Sequence, residues 1–208
     1  MKKMFRTFVG YTAFSLSLCA AAIASADDAD QLLSELSGIE SLQGAFIQQQ
    51  YHQGSSDPVE SRGHFKLRRP GYFSWEIESP DSQLIIATPD FVWQHDRDLE
   101  TVTRRPVDDS AQMSPLQVLG GDADELRARY QVGAEGQGRY RLTPLQQDSA
   151  FQSLQVSFAQ HQIVGMEIRD NLGQRVVVEF SHLDRSPLGP DDFSFTPPPG
   201  ADLFYYDQ

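Results

Sequence analysis

The chain has 208 residues, 39% of them hydrophobic, with 29 acidic against 17 basic side chains and a formal net charge of −12 at pH 7. That length holds a single domain with a substantial core. The negative charge is repelled by phosphate backbones and anionic lipid surfaces, which argues against nucleic acid as a partner and against residence on a membrane.

The first 26 residues read as an export signal. Lys2, Lys3 and Arg6 form a positive start, Phe8 to Ala22 is an apolar run too short to span a bilayer comfortably, and Ala24-Ser25-Ala26 is a small-x-small cleavage pattern. Residues 27–208 are then the mature chain, a single domain. They keep all 29 acidic residues and lose three basic ones, so 14 against 29 gives −15. Cys19 offers an alternative, a lipoprotein signal, but such a signal wants a small residue before the cysteine and here Leu18 precedes it. With cleavage after Ala26 the mature chain has no cysteine and no thiol chemistry.

Asp28 to Leu36 reads as a short amphipathic helix, with Leu32, Leu33 and Leu36 on one face and Gly38 as its stop. From Leu42 the period changes to two. Strands are predicted over Leu42–Tyr51, Val59–Arg68, Tyr72–Glu78, Gln83–Ala87, Phe91–His95 and Leu99–Arg104. In the first, Phe46 and Gln48 lie opposite Ala45 and Ile47. In the third, Phe73, Trp75 and Ile77 share a face. Asp96-Arg97-Asp98 forms a tight turn. Ser114-Pro115 opens a short helix carrying Leu116, Val118 and Leu119, which Gly120-Gly121 ends, and Asp122 can cap a second through Arg127. Strands resume over Tyr130–Gly133, Arg139–Thr143, Ser153–Ala159, Ile163–Arg169 and Arg175–His182. The tail from Pro187 to Pro199 is Pro-rich and anchored by Phe193 and Phe195. About eleven strands in hairpin order imply one long antiparallel sheet that curls to protect its edges. The helices then lie with their apolar faces against the concave side, and a curl of this size can enclose a cavity.

No chemistry-bearing constellation emerges. Gly133, Gly136 and Gly138 match no phosphate loop. His52, His64, His95, His161 and His182 are scattered without metal-ligand spacing, so neither metal nor cofactor is expected. There is no G-x-S-x-G nucleophile elbow. Asp108-Asp109 and Asp122, Asp124 and Glu125 read as loop charges and helix caps. The chain is therefore not read as an enzyme.

The stretch Arg68-Arg69-Pro70-Gly71-Tyr72-Phe73-Ser74-Trp75 resembles the (K/R)-R-P-x-x-F-x-W signature of the outer-membrane lipoprotein carrier (LolA) family. Three further features run in the family's order: Phe46-x-Gln48 on the first long strand, Phe91-Val92-Trp93, and the closing Phe193-Ser194-Phe195-Thr196-Pro197-Pro198. The resemblance implies a mainly β fold, an unclosed antiparallel barrel of about eleven strands with an α-helical lid over a hydrophobic cavity. It implies a periplasmic chaperone that receives lipoproteins from an inner-membrane ABC transporter, shields their acyl chains and delivers them to an outer-membrane receptor lipoprotein. By position Arg69 is the lid latch and Phe73 bears on cargo reception. Phe46, Trp75, Ile77 and Trp93 on strands and Leu32, Leu36, Leu116 and Leu119 on helices are the expected cavity residues. The protein is read as a monomer. Two other readings share the features: the receptor lipoprotein of the same fold, which needs an acylated Cys19, and a periplasmic lipid-sensing regulatory domain.

Overall fold

The computed structural model describes residues 20–54, 57–107, 119–120, 123–146, 149 and 151–206. Helix α1 (Ala20–Ser37) leads into β1 (Ser41–Tyr51), β2 (Val59–Arg68), β3 (Tyr72–Ser79), β4 (Gln83–Ala87), β5 (Phe91–Asp96) and β6 (Thr101–Pro106). After α2 (Ala123–Arg129) come β7 (Tyr130–Ala134), β8 (Arg139–Pro144), β9 (Phe151–Ala159), β10 (Gln162–Asp170) and β11 (Arg175–Asp184). A 3-10 turn (Pro190–Phe193) and β12 (Asp202–Tyr205) close the chain.

All strands belong to one sheet, in the order β12-β6-β5-β4-β3-β2-β1-β11-β10-β9-β8-β7. Its two ends do not meet, so the barrel is unclosed, as expected. Its extent differs in detail from the expectation. Among the described residues the strands number twelve where about eleven were expected, because the last four-residue strand pairs parallel with β6. A short edge strand behind a Pro-rich tail carries too little period-two signal to be recognised. Helix α1 starts at Ala20 rather than Asp28, inside the segment read as a leader. Strand β6 likewise starts at Thr101, not Leu99, because Asp96 turns the chain: its Oδ1 accepts the N–H groups of Asp98 and Leu99 at 3.1 and 3.0 Å. The helix expected over Ser114–Leu119 lies outside the described residues except for its last residue.

The curl has a local cause. Pairing shifts register between Gln43 and Ala45 on β1, Arg62 and Gly63 on β2, and Ile163 and Gly165 on β10. Such bulges bend and twist a sheet. At Gly63 the strands press so closely that a Cβ would sit 1.7 Å from the Glu76 carbonyl oxygen. Only glycine fits there.

One apolar cluster fills the concave side. It joins Leu32, Leu33 and Leu36 of α1 with Leu42, Phe46, Phe65, Leu67, Phe73 and Trp75 of the first strands, and with Val132, Leu142, Leu154, Val156, Met166 and Val178 of β7 to β11. Leu119 and Leu126 join it from the segment between β6 and β7. Among the described residues no helix is long and apolar enough to cross a membrane.

Candidate functional site: a helix-capped apolar interior

The interior is built around Trp75. Alternation on β3 turns Phe73, Trp75 and Ile77 to the concave side, as predicted: Phe73 and Trp75 are buried and Ile77 packs on the cluster. Phe46 on β1 stacks on Trp75 with ring centroids 3.6 Å apart and planes 16° apart. Phe73 lies 6.0 Å away on the same indole. Phe65 and Phe180, which were not singled out from the sequence, complete the group: they lie 4.8 Å from each other and 6.3 and 6.4 Å from Trp75. The alternation of Phe65 with Leu67, and of Val176, Val178 and Phe180, was the signal that would have found them. These rings, stacked and edge-on, supply a large apolar surface with few polar atoms.

Helix α1 covers this surface. Leu32 is 0% and Leu36 1% exposed, both within the cluster. Leu119 is also buried, at the described end of the predicted lid segment, whereas Leu116 lies outside the described residues. The polar margin of α1 is fastened to its surroundings. Asp28 accepts the Ala134 backbone N–H at 2.9 Å, Asp30 pairs with Arg127 of α2 at 2.7 Å, and Glu35 meets His161 Nδ1 in the β9–β10 turn at 2.9 Å. Burial, then the charges of Glu35 and Asp28, push the Tyr140 phenol above its ordinary pKa.

Arg69 stands at the β2–β3 turn. Its backbone N–H donates to the Glu40 carbonyl at 2.9 Å, and its Nη1 atom is wholly withdrawn from solvent. Two residues on, Gly71 has φ +83°, a conformation other residues rarely adopt. Its N–H donates to the Gly120 carbonyl at 2.9 Å. The turn is thereby tied both to the α1–β1 connection and to the end of the lid segment, a tie that motif reading did not foresee.

Trp93 does not belong to the interior, and this corrects the expectation. It pairs with Ile86 and Arg104, on the face opposite Val92 and Ala87. There it meets Phe195 at 5.4 Å and Tyr205 at 6.2 Å, with Arg104 over its ring at 5.6 Å. The C-terminal tail packs on the outside of β3 to β6, and that gives the outer face its own aromatic residues. Among the described residues no group of three or more His, Cys, Asp or Glu is arranged to hold a metal ion.

Comparisons with known proteins agree with this architecture. The family described as "Outer membrane lipoprotein carrier protein LolA" matches residues 37–196. The outer-membrane lipoprotein carrier protein of Chromohalobacter salexigens is 33% identical over 193 residues, covering 91% of this chain and 92% of that one. Its counterpart in Cupriavidus necator is 34% identical over 203 residues, covering 90% and 96%. In fold, the crystal structure of an uncharacterized conserved protein from Thermus thermophilus aligns with a TM-score of 0.52 at 12% identity, over 85% of this chain and 98% of that one. Family match, identity over most of both chains and a helix-capped, unclosed sheet converge: this chain belongs to the LolA family of outer membrane lipoprotein carrier proteins.

Proposed function

We propose that the protein is a periplasmic chaperone that takes lipoproteins from an inner-membrane ABC transporter, shelters their acyl chains under α1, and passes them to an outer-membrane receptor. Residues 1–26 are its export signal, and the mature chain starts at Asp27. The observation that carries the reading is the position of Leu32 and Leu36: helix side chains occupy the sheet's aromatic interior.

The physics requires both enclosure and release. Each methylene withdrawn from water contributes about 0.8 kcal/mol, so exposing an anchor of some forty methylenes costs on the order of 30 kcal/mol. Unaided crossing of an aqueous space is negligibly slow. A site left open and dry would also hold the anchor too firmly to give it up. When Leu32, Leu36 and the lid leucines return to the interior, they replace the contacts that cargo loses, and net affinity falls. Arg69 is the latch: one nitrogen of its guanidinium is withdrawn from solvent, a buried donor is stable only when it is met, and carbonyls at helix ends are suited to it.

The test is loading. Mature protein incubated with inner-membrane vesicles and ATP brings lipoproteins into the soluble fraction, bound to it. Folded protein that leaves every lipoprotein in the membrane overturns the reading. Arg69→Leu is expected to load and then retain its cargo in the presence of receptor, and normal handover by that variant removes the latch. Phe73→Glu is expected to load poorly, because a carboxylate on this aromatic surface is costly.

A further inference from the structure

We propose that β12 is a docking edge, which takes up an extended basic segment of a partner protein by strand addition. The two ends of the sheet are treated differently. At one end, β7 lies against α1, and the Asp28 carboxylate accepts the N–H of Ala134. At the other, β12 is the last strand, and among the described residues no strand pairs with its outer side.

The pairing fixes which groups face outward. Asp202 donates its N–H to Glu100 and Tyr206 donates to Arg104, at 2.9 and 3.0 Å, in the parallel register Asp202↔Thr101 to Tyr205↔Arg104. In a parallel ladder alternate residues turn both backbone groups to one neighbour. Asp202, Phe204 and Tyr206 therefore serve β6, and the N–H and C=O of Leu203 and Tyr205 point away from the sheet. Proteins blunt such edges with lysine, proline or a bulge. Here the edge carries Leu203, Phe204, Tyr205 and Tyr206, each between 45% and 53% exposed. The strand is also held ready rather than frayed: Arg104 lies 4.6 Å from the Tyr205 ring and Arg105 4.9 Å from that of Tyr206.

Charge selects the occupant. Glu100 and Asp202 lie together at the start of the edge, where the Asp202 N–H meets the Glu100 carbonyl, while the Asp98 carboxylate is taken by the Ser82 N–H. The two arginines at the other end are engaged by aromatic rings. A segment alternating lysine or arginine with apolar residues matches both the backbone ladder and this potential. A second copy of the mature chain brings its own net charge of −15 (14 basic against 29 acidic residues) and is repelled. The inference stands whatever the interior carries.

The test uses the full mature chain and a synthetic peptide alternating lysine and valine, with a glutamate–valine peptide as control. Amide hydrogen exchange is read residue by residue. The lysine peptide is expected to slow exchange at Leu203 and Tyr205 by at least about tenfold, and the glutamate peptide to leave it unchanged. Leu203→Pro removes an outward donor without touching the β6 ladder, so it should weaken binding about tenfold or more while the Phe204 amide stays protected. If that protection is lost, Tyr205→Pro carries the same test at the other outward position. Unchanged exchange at 203 and 205, equal binding of both peptides, or full binding by a proline variant with an intact ladder overturns the proposal. So does protection of the same amides by self-association without peptide.

Discussion

Strands β7 to β11 bury one face; strands β3 to β6 are covered on two. In the first wing Leu142, Leu154, Val156 and Val178 are buried inward, while Gln155, Glu167, Arg169 and Glu179 face outward, with Glu167 paired to Arg169 and Arg175. In the second wing Phe73, Trp75 and Ala87 face the interior. The outer side holds Tyr72 against Phe193, Trp93 against Phe195, and a buried Ile86. A wing clamped between core and tail has packing on both faces to lose on opening; a wing with one solvated face has it on one, and α1 packs there, on β7.

That contrast can be broken by substitution. The largest effect is expected inside the single-faced wing: Leu154→Ala, at a fully buried position, should lower stability by about 2–5 kcal/mol in urea unfolding. Trp93→Ala, on the outer face of the clamped wing, loses two aromatic contacts and should cost about 1–3 kcal/mol. If it costs nothing, the tail is merely laid on the sheet and the clamp does not exist. Glu35→Gln removes the pair with His161, whose side chains are 18% and 88% exposed, and should change stability by less than about 1 kcal/mol. A much larger loss would mean that α1 is held by charge rather than by its leucines.

The smallest expected effect is a pH dependence. Burial, then nearby Arg97, lowers the His95 pKa below its ordinary 6.5, with Asp96 opposing. His95 packs against Phe195 at 5.7 Å. A histidine with a depressed folded pKa contributes stability that is present above the unfolded pKa. That contribution is lost as pH falls through the folded one. Acidification from pH about 7.5 to about 5.5 should therefore loosen the tail, and His95→Gln should flatten that part of the profile. An unchanged profile in the variant would place the acid sensitivity elsewhere.

The same contrast explains what was legible in the sequence. Strand β9, Phe151–Ala159, alternates buried with more exposed positions from Leu154 to Phe158, and period-two reading finds it over Ser153–Ala159, starting two residues late. Strand β5 does not: Phe91, Val92 and Trp93 are all half-buried because both faces are covered, so alternation carries no sign of which face is inner. The family resemblance alone put Trp93 in the interior, and the strand's own pattern offered nothing to contradict it. Phe46, Leu32 and Leu36 were readable because each stands in a pattern with one wet side, and Phe73 and Trp75 because polar Ser74 and Glu76 alternate with them. The edge strand at Asp202–Tyr205 was not, because its partner is a parallel neighbour far back in the chain, which no local pattern encodes.

The link from Gly71 to Gly120 is made of main-chain atoms alone. Among the encoded residues only proline deletes a main-chain N–H, and at Gly71 proline would also have to leave φ +83° for about −65°, so no point variant removes this contact alone. An ester in place of the Gly71 amide does. Selection faces the same restriction: it can tune the attachment through surrounding shape, yet cannot delete the joint without rebuilding the turn.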